Sequence, residues 1–156
     1  MRIVLQGSKE LEEKLKSLDS KVAKKIVRQA VRDAAQIMQK EIQQNARSFV
    51  GGEMGSLMAR KTVVRAFKKQ RKGAYGVSTK FSADVPEFIG NTAEGKRYFI
   101  PIAIEYGHAT PGLGGSGDKS VAAIPFVRTA FDMKQDECLK TIENEVEDGI
   151  KSVWGK

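Results

Sequence analysis

Residues 20–47, SKVAKKIVRQAVRDAAQIMQKEIQQNAR, determine the fold, because they carry an unbroken helical repeat. Apolar residues recur every four positions in one row, which comprises Val22, Ile26, Ala30, Ala34, Met38 and Ile42. A second row lies beside it and comprises Ala23, Val27, Val31 and Ala35. This spacing predicts an amphipathic helix with a wide apolar face, roughly 40 Å long at 1.5 Å per residue.

One shorter helix is predicted before this stretch and one long helix at the end of the chain. Gly7-Ser8 opens a segment with leucines one turn apart, and Asp19-Ser20 offers an N-cap for the long helix. Pro125 suits the first position of the C-terminal helix, where an N–H would have no intrahelical partner. The apolar positions of that helix are Phe126, Ala130, Phe131, Cys138, Ile142, Val146, Ile150 and Trp154. Its opposite face is acidic.

The middle of the chain predicts strands. Residues 49–55 contain three glycines and break the long helix. Residues 62–67 and 74–81 are β-branched and aromatic, and they flank a charged connection as the strands of a hairpin would. Residues 98–106 are apolar enough for a third strand, in which Pro101 favours an edge position or a bulge.

These elements predict a single domain over residues 1–156, of the α+β class. We expect an antiparallel sheet of three or four strands, packed against the long N-terminal helix and the C-terminal helix. Residues 82–97 are polar and contain Pro86, Gly90 and Gly95, so we predict mostly loop there.

Composition indicates a folded, soluble chain. Hydrophobic residues make up 40% and charged residues 29% of the sequence, which is near the globular average. The sequence contains no run of about 18 apolar residues, and the apolar N-terminal stretch is too short for a signal peptide. Cys138 is the single cysteine, which favours a buried thiol in a reducing cytoplasm. We therefore expect no membrane association and no disulfide.

Charge is divided unevenly along the chain. Residues 1–80 hold 19 Lys and Arg against 7 Asp and Glu, a net charge of +12. Residues 81–156 hold 8 against 12, a net charge of −4. A basic half can hold nucleic acid, and it can equally bind the acidic half of an identical copy.

Residues that could carry catalysis are sparse. The glycine-rich loop 107–120 resembles a phosphate cradle, but Asp118 separates its last glycine from Lys119, and no helix starts there. His108 is the only histidine, and one histidine with one distant cysteine makes neither a metal cluster nor a nucleophile–base pair. The sequence therefore predicts no enzyme, no cofactor and no small-molecule substrate. A small enzyme that uses the glycine loop is the weaker alternative, and it would require a measurable affinity for nucleotide or phosphate.

A basic cluster occupies the predicted hairpin and the residues before it. Its members are Arg60, Lys61, Arg65, Lys68, Lys69, Arg71 and Lys72. The cluster could contact DNA phosphates, with Phe67 or Tyr75 stacking on bases, or it could contact another subunit. It could also be an ordinary solvated hairpin tip. A nucleic-acid-binding module that uses Arg60 to Lys72 is thus the main alternative function.

Two separated segments carry a resemblance to a known family. Glu105-Tyr106-Gly107 ends a predicted strand, and the segment 124–131, IPFVRTAF, opens the last helix. With the basic amphipathic N-terminal helix and Gly55-Ser56-Leu57, these segments resemble the small tail-component family of lambda-like long-tailed bacteriophages. Thr129 stands where that family commonly has proline, and Met54 where threonine often precedes the glycine.

The resemblance implies a structural virion protein that acts in tail completion or head–tail joining. Its partners would be copies of itself in a ring, by analogy a hexamer, together with neighbouring tail or connector proteins, and non-specific DNA contact is compatible with that role. Its location would be the virion, and the host cytoplasm during assembly. No cofactor is implied.

A physical hypothesis accompanies this pattern. Arg128 lies in the first turn of the predicted C-terminal helix, where the helix dipole disfavours a cation. An acidic partner would compensate for this position, and Glu105 is the predicted partner. The alternative is an exposed arginine with no fixed contact.

Overall fold

Helices dominate the computed structural model, which describes residues 9–18, 20–68, 75–82, 84–92, 94–110 and 119–154. The chain divides into two compact units. Unit 1 comprises Met1–Gln39, Val64–Thr79 and Met133–Lys156, and unit 2 comprises Lys40–Val63 and Lys80–Asp132. Because the two long helices and the hairpin contribute residues to both units, no single cut in the chain separates them.

The predicted long helix is confirmed. A short helix, α1 (Lys9–Ser17), precedes α2 (Ser20–Asn45), and one wider π-helical turn (Ala46–Val50) follows it directly. The α-helix thus ends two residues before the predicted end at Arg47. The first apolar row is buried from its middle onward, at Ala30, Ala34, Met38 and Ile42.

A helix follows where the sequence predicted only a break. The backbone turns at Gly51, whose φ of +68° is a conformation that favours glycine, and α3 (Gly52–Lys61) begins at the next residue. Near its end the Thr62 hydroxyl donates to the Met58 carbonyl over 2.7 Å and so satisfies a last-turn acceptor. Strand β1 (Thr62–Ala66) starts there, at the first residue of the predicted strand 62–67.

Gly55 lets α3 pack directly on the π-helical turn. Any Cβ built on Gly55 would collide with the Ala46 carbonyl oxygen, which is a backbone atom and cannot rotate away. Gly55 and Ala46 are both buried. This close approach gives a physical reason for a glycine at the start of Gly55-Ser56-Leu57.

We expect Gly55→Ala to lower the free energy of unfolding by about 1–3 kcal/mol, because the methyl group forces α3 off the π-helical turn. Urea titration followed by circular dichroism measures the loss. Gly52→Ala on the same helix is unsuitable as a control, because its φ is +55°. Ser56→Ala is the matched control at an exposed neighbouring position, and an equal loss in both variants would contradict the packing argument.

Strand pairing differs from the prediction. The described residues form three two-stranded sheets rather than one sheet of three or four strands. The first pairs β1 with β2 (Val77–Phe81), as the predicted hairpin required. The others are antiparallel: β3 (Ile89–Asn91) pairs with β4 (Arg97–Phe99), and β5 (His108–Thr110) pairs with β6 (Lys119–Val121). The α+β class holds, but the strands are too short and too dispersed to form a common sheet.

The predicted third strand is wrong for most of its length. Only β4 is extended, and the chain then forms the short helix α4 (Ile100–Tyr106). Pro101 lies in the first turn of α4, where its fixed φ is already helical and its missing N–H has no partner to lose. The prediction treated the same proline as a strand defect, and the helical preference prevails.

The predicted loop over residues 82–97 contains structure. A 3-10 turn at Pro86–Phe88 leads into β3, and Phe88 is completely buried. Its ring packs edge-on against the rings of Phe81 and Phe99, each with a centroid separation of 5.9 Å. Phe81 also lies 5.9 Å from the ring of Phe126. These four phenylalanines form the aromatic core of unit 2.

The C-terminal helix is confirmed as α5 (Phe126–Trp154). Pro125 stands immediately before its first helical residue, and the Pro125 carbonyl accepts the Thr129 amide over 3.0 Å. The buried row includes Phe126, Ala130, Cys138, Ile142, Val146 and Ile150. Trp154 departs from the prediction, since 58% of it is exposed.

In unit 1, α5 packs on α2. The Ile26 side chain occupies the space that a Cβ on Gly149 would need, and the Cys138 thiol donates to the Ala34 carbonyl over 3.3 Å. Burial raises the pKa of the Cys138 thiol, and Glu137 adds to the rise. Cys138 therefore behaves as the small buried residue that the sequence predicted.

Candidate functional site

The Glu105 carboxylate holds the beginning of α5. Its Oε2 accepts the Val127 amide over 2.8 Å, and its Oε1 accepts the Arg128 amide over 3.0 Å. These two amides belong to the first turn of α5, where helix geometry leaves N–H groups without intrahelical acceptors. Glu105 is 5% exposed, so its negative charge acts at the positive end of the helix dipole with little screening by water.

Arg128 completes this junction. Its Nε donates to Glu105 Oε1 over 3.1 Å, and its Nη2 donates to the Glu105 backbone carbonyl over 2.9 Å. The guanidinium also lies 4.8 Å from the ring centroid of Tyr106. The structure thus brings Glu105 and Arg128 together. The Arg128 side chain is 51% exposed, so the two α5 amides are the stronger partners of the carboxylate.

Each residue of Glu105-Tyr106-Gly107 has a distinct contact in this junction. Glu105 caps α5, Tyr106 supports the Arg128 guanidinium, and Gly107 adopts a φ of +73°. A Cβ on Gly107 would lie 2.6 Å from the Val121 carbonyl oxygen, so the glycine also allows β6 to approach. The carboxylate accepts three hydrogen bonds, two of them from backbone amides, so the arrangement fixes the position of the α5 backbone.

The outer face of α4 is apolar and open. Ile102 is 58% exposed and Tyr106 is 64% exposed, and the two residues are one helical turn apart. Exposed aromatic and aliphatic side chains on a rigid helix are typical of protein contact surfaces. Unit 2 therefore presents an apolar surface beside Arg128.

The predicted basic cluster is only partly described. Arg60 and Lys61, in unit 2, are exposed. Arg65 and Lys68, in unit 1, are also exposed, beside Phe67 at 47% exposure. The remaining members, Lys69, Arg71 and Lys72, lie outside the described residues.

A second basic surface lies on α2, which the sequence analysis identified as a basic amphipathic helix without assigning its cations to one face. Four cations occupy one face at intervals of four, three and four residues, and with two neutral side chains they line a shallow groove. The lining residues are Lys21, Lys25, Arg28, Gln29, Arg32 and Tyr75. We call this the α2 groove. The spacing of its cations is visible in the sequence, and a count of charge by helix face would have found it.

Exposed carboxylates cover α5. Those within unit 1 are Asp136, Glu137, Glu143, Glu145, Glu147 and Asp148. Lysines are interspersed, and two of them form ion pairs of 2.7 Å, Lys134 with Glu137 and Lys151 with Glu147. The hydrogen bond with Lys151 lowers the pKa of Glu147, and the same bond raises the pKa of Lys151. This surface is acidic in net charge and mixed in sign.

The described residues contain no group of side chains arranged as a nucleophile–base pair or a metal site. His108 Nδ1 lies 3.4 Å from the Ala103 carbonyl, and its ring packs 6.2 Å from that of Tyr98, which are structural contacts. The described part of the chain holds no group of three or more His, Cys, Asp and Glu suited to a metal ion. Residues 111–118 of the glycine-rich loop lie outside the described residues. None of the described helices is both long and apolar enough to cross a membrane.

Comparison with known proteins gives one match. Residues 9–83 match the family model described as "Bacteriophage HK97-gp10, putative tail-component". The matched range covers α1 to β2 and includes Gly55-Ser56-Leu57, whereas the Glu105–Arg128 junction follows it. No curated protein and no solved structure matches. The resemblance to a phage tail-component family is thereby confirmed.

Proposed function

We propose that this chain is a bacteriophage tail component that completes the tail or joins it to the head by closing into a ring with copies of itself. The family match carries the assignment to the tail. The proposal includes a structural, non-enzymatic role in the virion and assembly in the host cytoplasm. The opposed charges of the two halves of the sequence support the self-association.

Two surfaces of unit 1 suit a contact between copies. One carries Arg65 and Lys68 around the exposed Phe67. The other is the end of α5, where the acidic surface meets Val153 and Trp154, which are 40% and 58% exposed. Aromatic residues would provide the dry centre of the contact, and the opposite charges around them would fix its orientation.

A contact between two different surfaces is heterologous, so it propagates from copy to copy until the rotation closes a ring. The sixfold symmetry of phage tails implies a hexamer, which at 17.2 kDa per copy has a mass of about 103 kDa. The open α4 face with Ile102 and Tyr106 would then bind a neighbouring tail or connector protein.

Charge reversal tests the ring directly. We expect sedimentation velocity of the purified protein to show a salt-sensitive oligomer of about 103 kDa. Arg65→Glu with Lys68→Glu should dissociate it, and adding Glu145→Lys with Asp148→Lys in the same chain should restore it. The matched control, Lys96→Glu with Arg97→Glu, makes the same charge change on exposed residues of unit 2 and should assemble normally. Dissociation by the control to the same extent, or no restoration by the combined variant, contradicts this interface.

A further inference from the structure

We propose that the α2 groove is a sequence-independent binding site for the phosphate backbone of duplex DNA. The site is separate from the surfaces assigned above to contacts between copies. It is supported by the composition of its lining, the restraint on one of its cations and the state of its one amide side chain.

The lining of the groove is strongly cationic. Four of its six described residues are Lys or Arg, and the other two, Gln29 and Tyr75, are neutral. From Lys21 to Arg32 the cations span about 16 Å of helix at 1.5 Å per residue. Duplex DNA carries one phosphate per about 1.7 Å of its axis, so a segment of that length holds roughly ten phosphates, and those on its near side could contact the four cations.

Tyr75 holds one of these cations in place. The Arg28 guanidinium lies 5.5 Å from the centroid of the Tyr75 ring, which restricts the side chain before any ligand arrives. Restriction of this kind reduces the conformational entropy that binding would otherwise cost. The aromatic ring thus serves the groove through Arg28 rather than by stacking on a base.

The one amide side chain of the groove is already engaged within α2. Gln29 is the lining residue suited to recognise an adenine edge, but its amide nitrogen donates to both carboxylate oxygens of Asp33, over 2.9 and 3.0 Å. Lysine and arginine reach phosphates of any sequence. The expected ligand is therefore the backbone and not a particular site.

An acidic protein surface fits this groove less well. The candidate from this chain is α5, whose carboxylates alternate with Lys134, Lys140 and Lys151. Two of these lysines already pair with glutamates on α5 itself. Docking α5 along the length of the groove would bring its lysines against a cationic lining, whereas the proposed contact between copies uses only the end of α5. DNA brings uniform negative charge over the whole groove.

Fluorescence anisotropy with a labelled duplex, titrated at NaCl concentrations of about 50–200 mM, tests the site. We expect the logarithm of the observed association constant to fall linearly with the logarithm of the salt concentration. Lys25→Gln with Arg32→Gln removes two phosphate contacts, so the magnitude of the slope should fall by about 1.8. The association constant of the unaltered protein for a duplex of unrelated sequence should agree with that for the first duplex to within about twofold.

The matched control is Arg97→Gln with Lys140→Gln, which removes one arginine and one lysine at exposed positions outside the groove. Its salt slope should equal that of the unaltered protein. Equal slope losses in both variants would reduce the effect to net charge and overturn the site. Absence of binding at about 50 mM salt overturns it as well. A groove variant that keeps the duplex slope but changes sedimentation would assign the groove to a protein partner instead.

Discussion

Glu105→Ala is expected to lower the free energy of unfolding by about 2–4 kcal/mol. The substitution leaves the partly buried Val127 and Arg128 amides without their acceptor, and it removes the counter-charge from the Arg128 guanidinium. Loss of an N-cap alone costs about 1 kcal/mol, and the lost charge partner adds to this. Urea titration followed by circular dichroism measures the change.

Two further variants separate the cap from the ion pair. Arg128→Ala should cost about 1 kcal/mol, because half of its side chain is in water. The double variant should show a coupling energy of at least about 0.5 kcal/mol, and strict additivity would mean that the pair contributes nothing. The matched control is Glu94→Ala, since Glu94 forms an exposed 3.0 Å ion pair with Lys96. We expect that variant to change stability by less than about 0.5 kcal/mol.

The helices of this fold are largely predictable from sequence, and the short strands are not. The rows on α2 and α5 repeat over many turns, so the periodic signal accumulates and identifies both helices. Residues 98–106 give no such signal, because a short apolar run fits a buried strand and a buried helix equally. Strands of three residues carry even less pattern, since three positions are too few to display the alternation of a strand.

The candidate site was likewise predictable from the sequence only in part. The dipole argument led from Arg128 to Glu105, because a cation in a first helical turn needs a nearby acceptor. The hydrogen bonds from two α5 backbone amides to the Glu105 carboxylate were not predicted. The reason is that residues 98–106 were predicted to form a strand, whereas Glu105 lies in the helix α4. The α2 groove was missed because charge was summed over halves of the sequence instead of faces of a helix.

Phe88 is the largest omission of the sequence reasoning, and it carries the largest expected effect. We expect Phe88→Ala to lower the free energy of unfolding by about 3–5 kcal/mol, because the ring is completely buried and its removal leaves a cavity. Its edge-to-face contacts with Phe81 and Phe99 add stability beyond that expected from the buried surface area alone. At about 2–4 °C per kcal/mol for a chain of this size, Tm should fall by roughly 6–20 °C.

The experiment needs a control that makes the same chemical change without opening a cavity. Phe49 serves, because it also belongs to unit 2 and is 47% exposed, so Phe49→Ala should cost at most about 1 kcal/mol. Phe88→Leu keeps most of the buried volume and extends the series if the alanine variant fails to fold. Its loss should lie between those of the other two variants. Similar melting temperatures for Phe88→Ala and Phe49→Ala would show that residues 82–97 behave as the loop that their composition predicts, and that the aromatic core of unit 2 does not depend on Phe88.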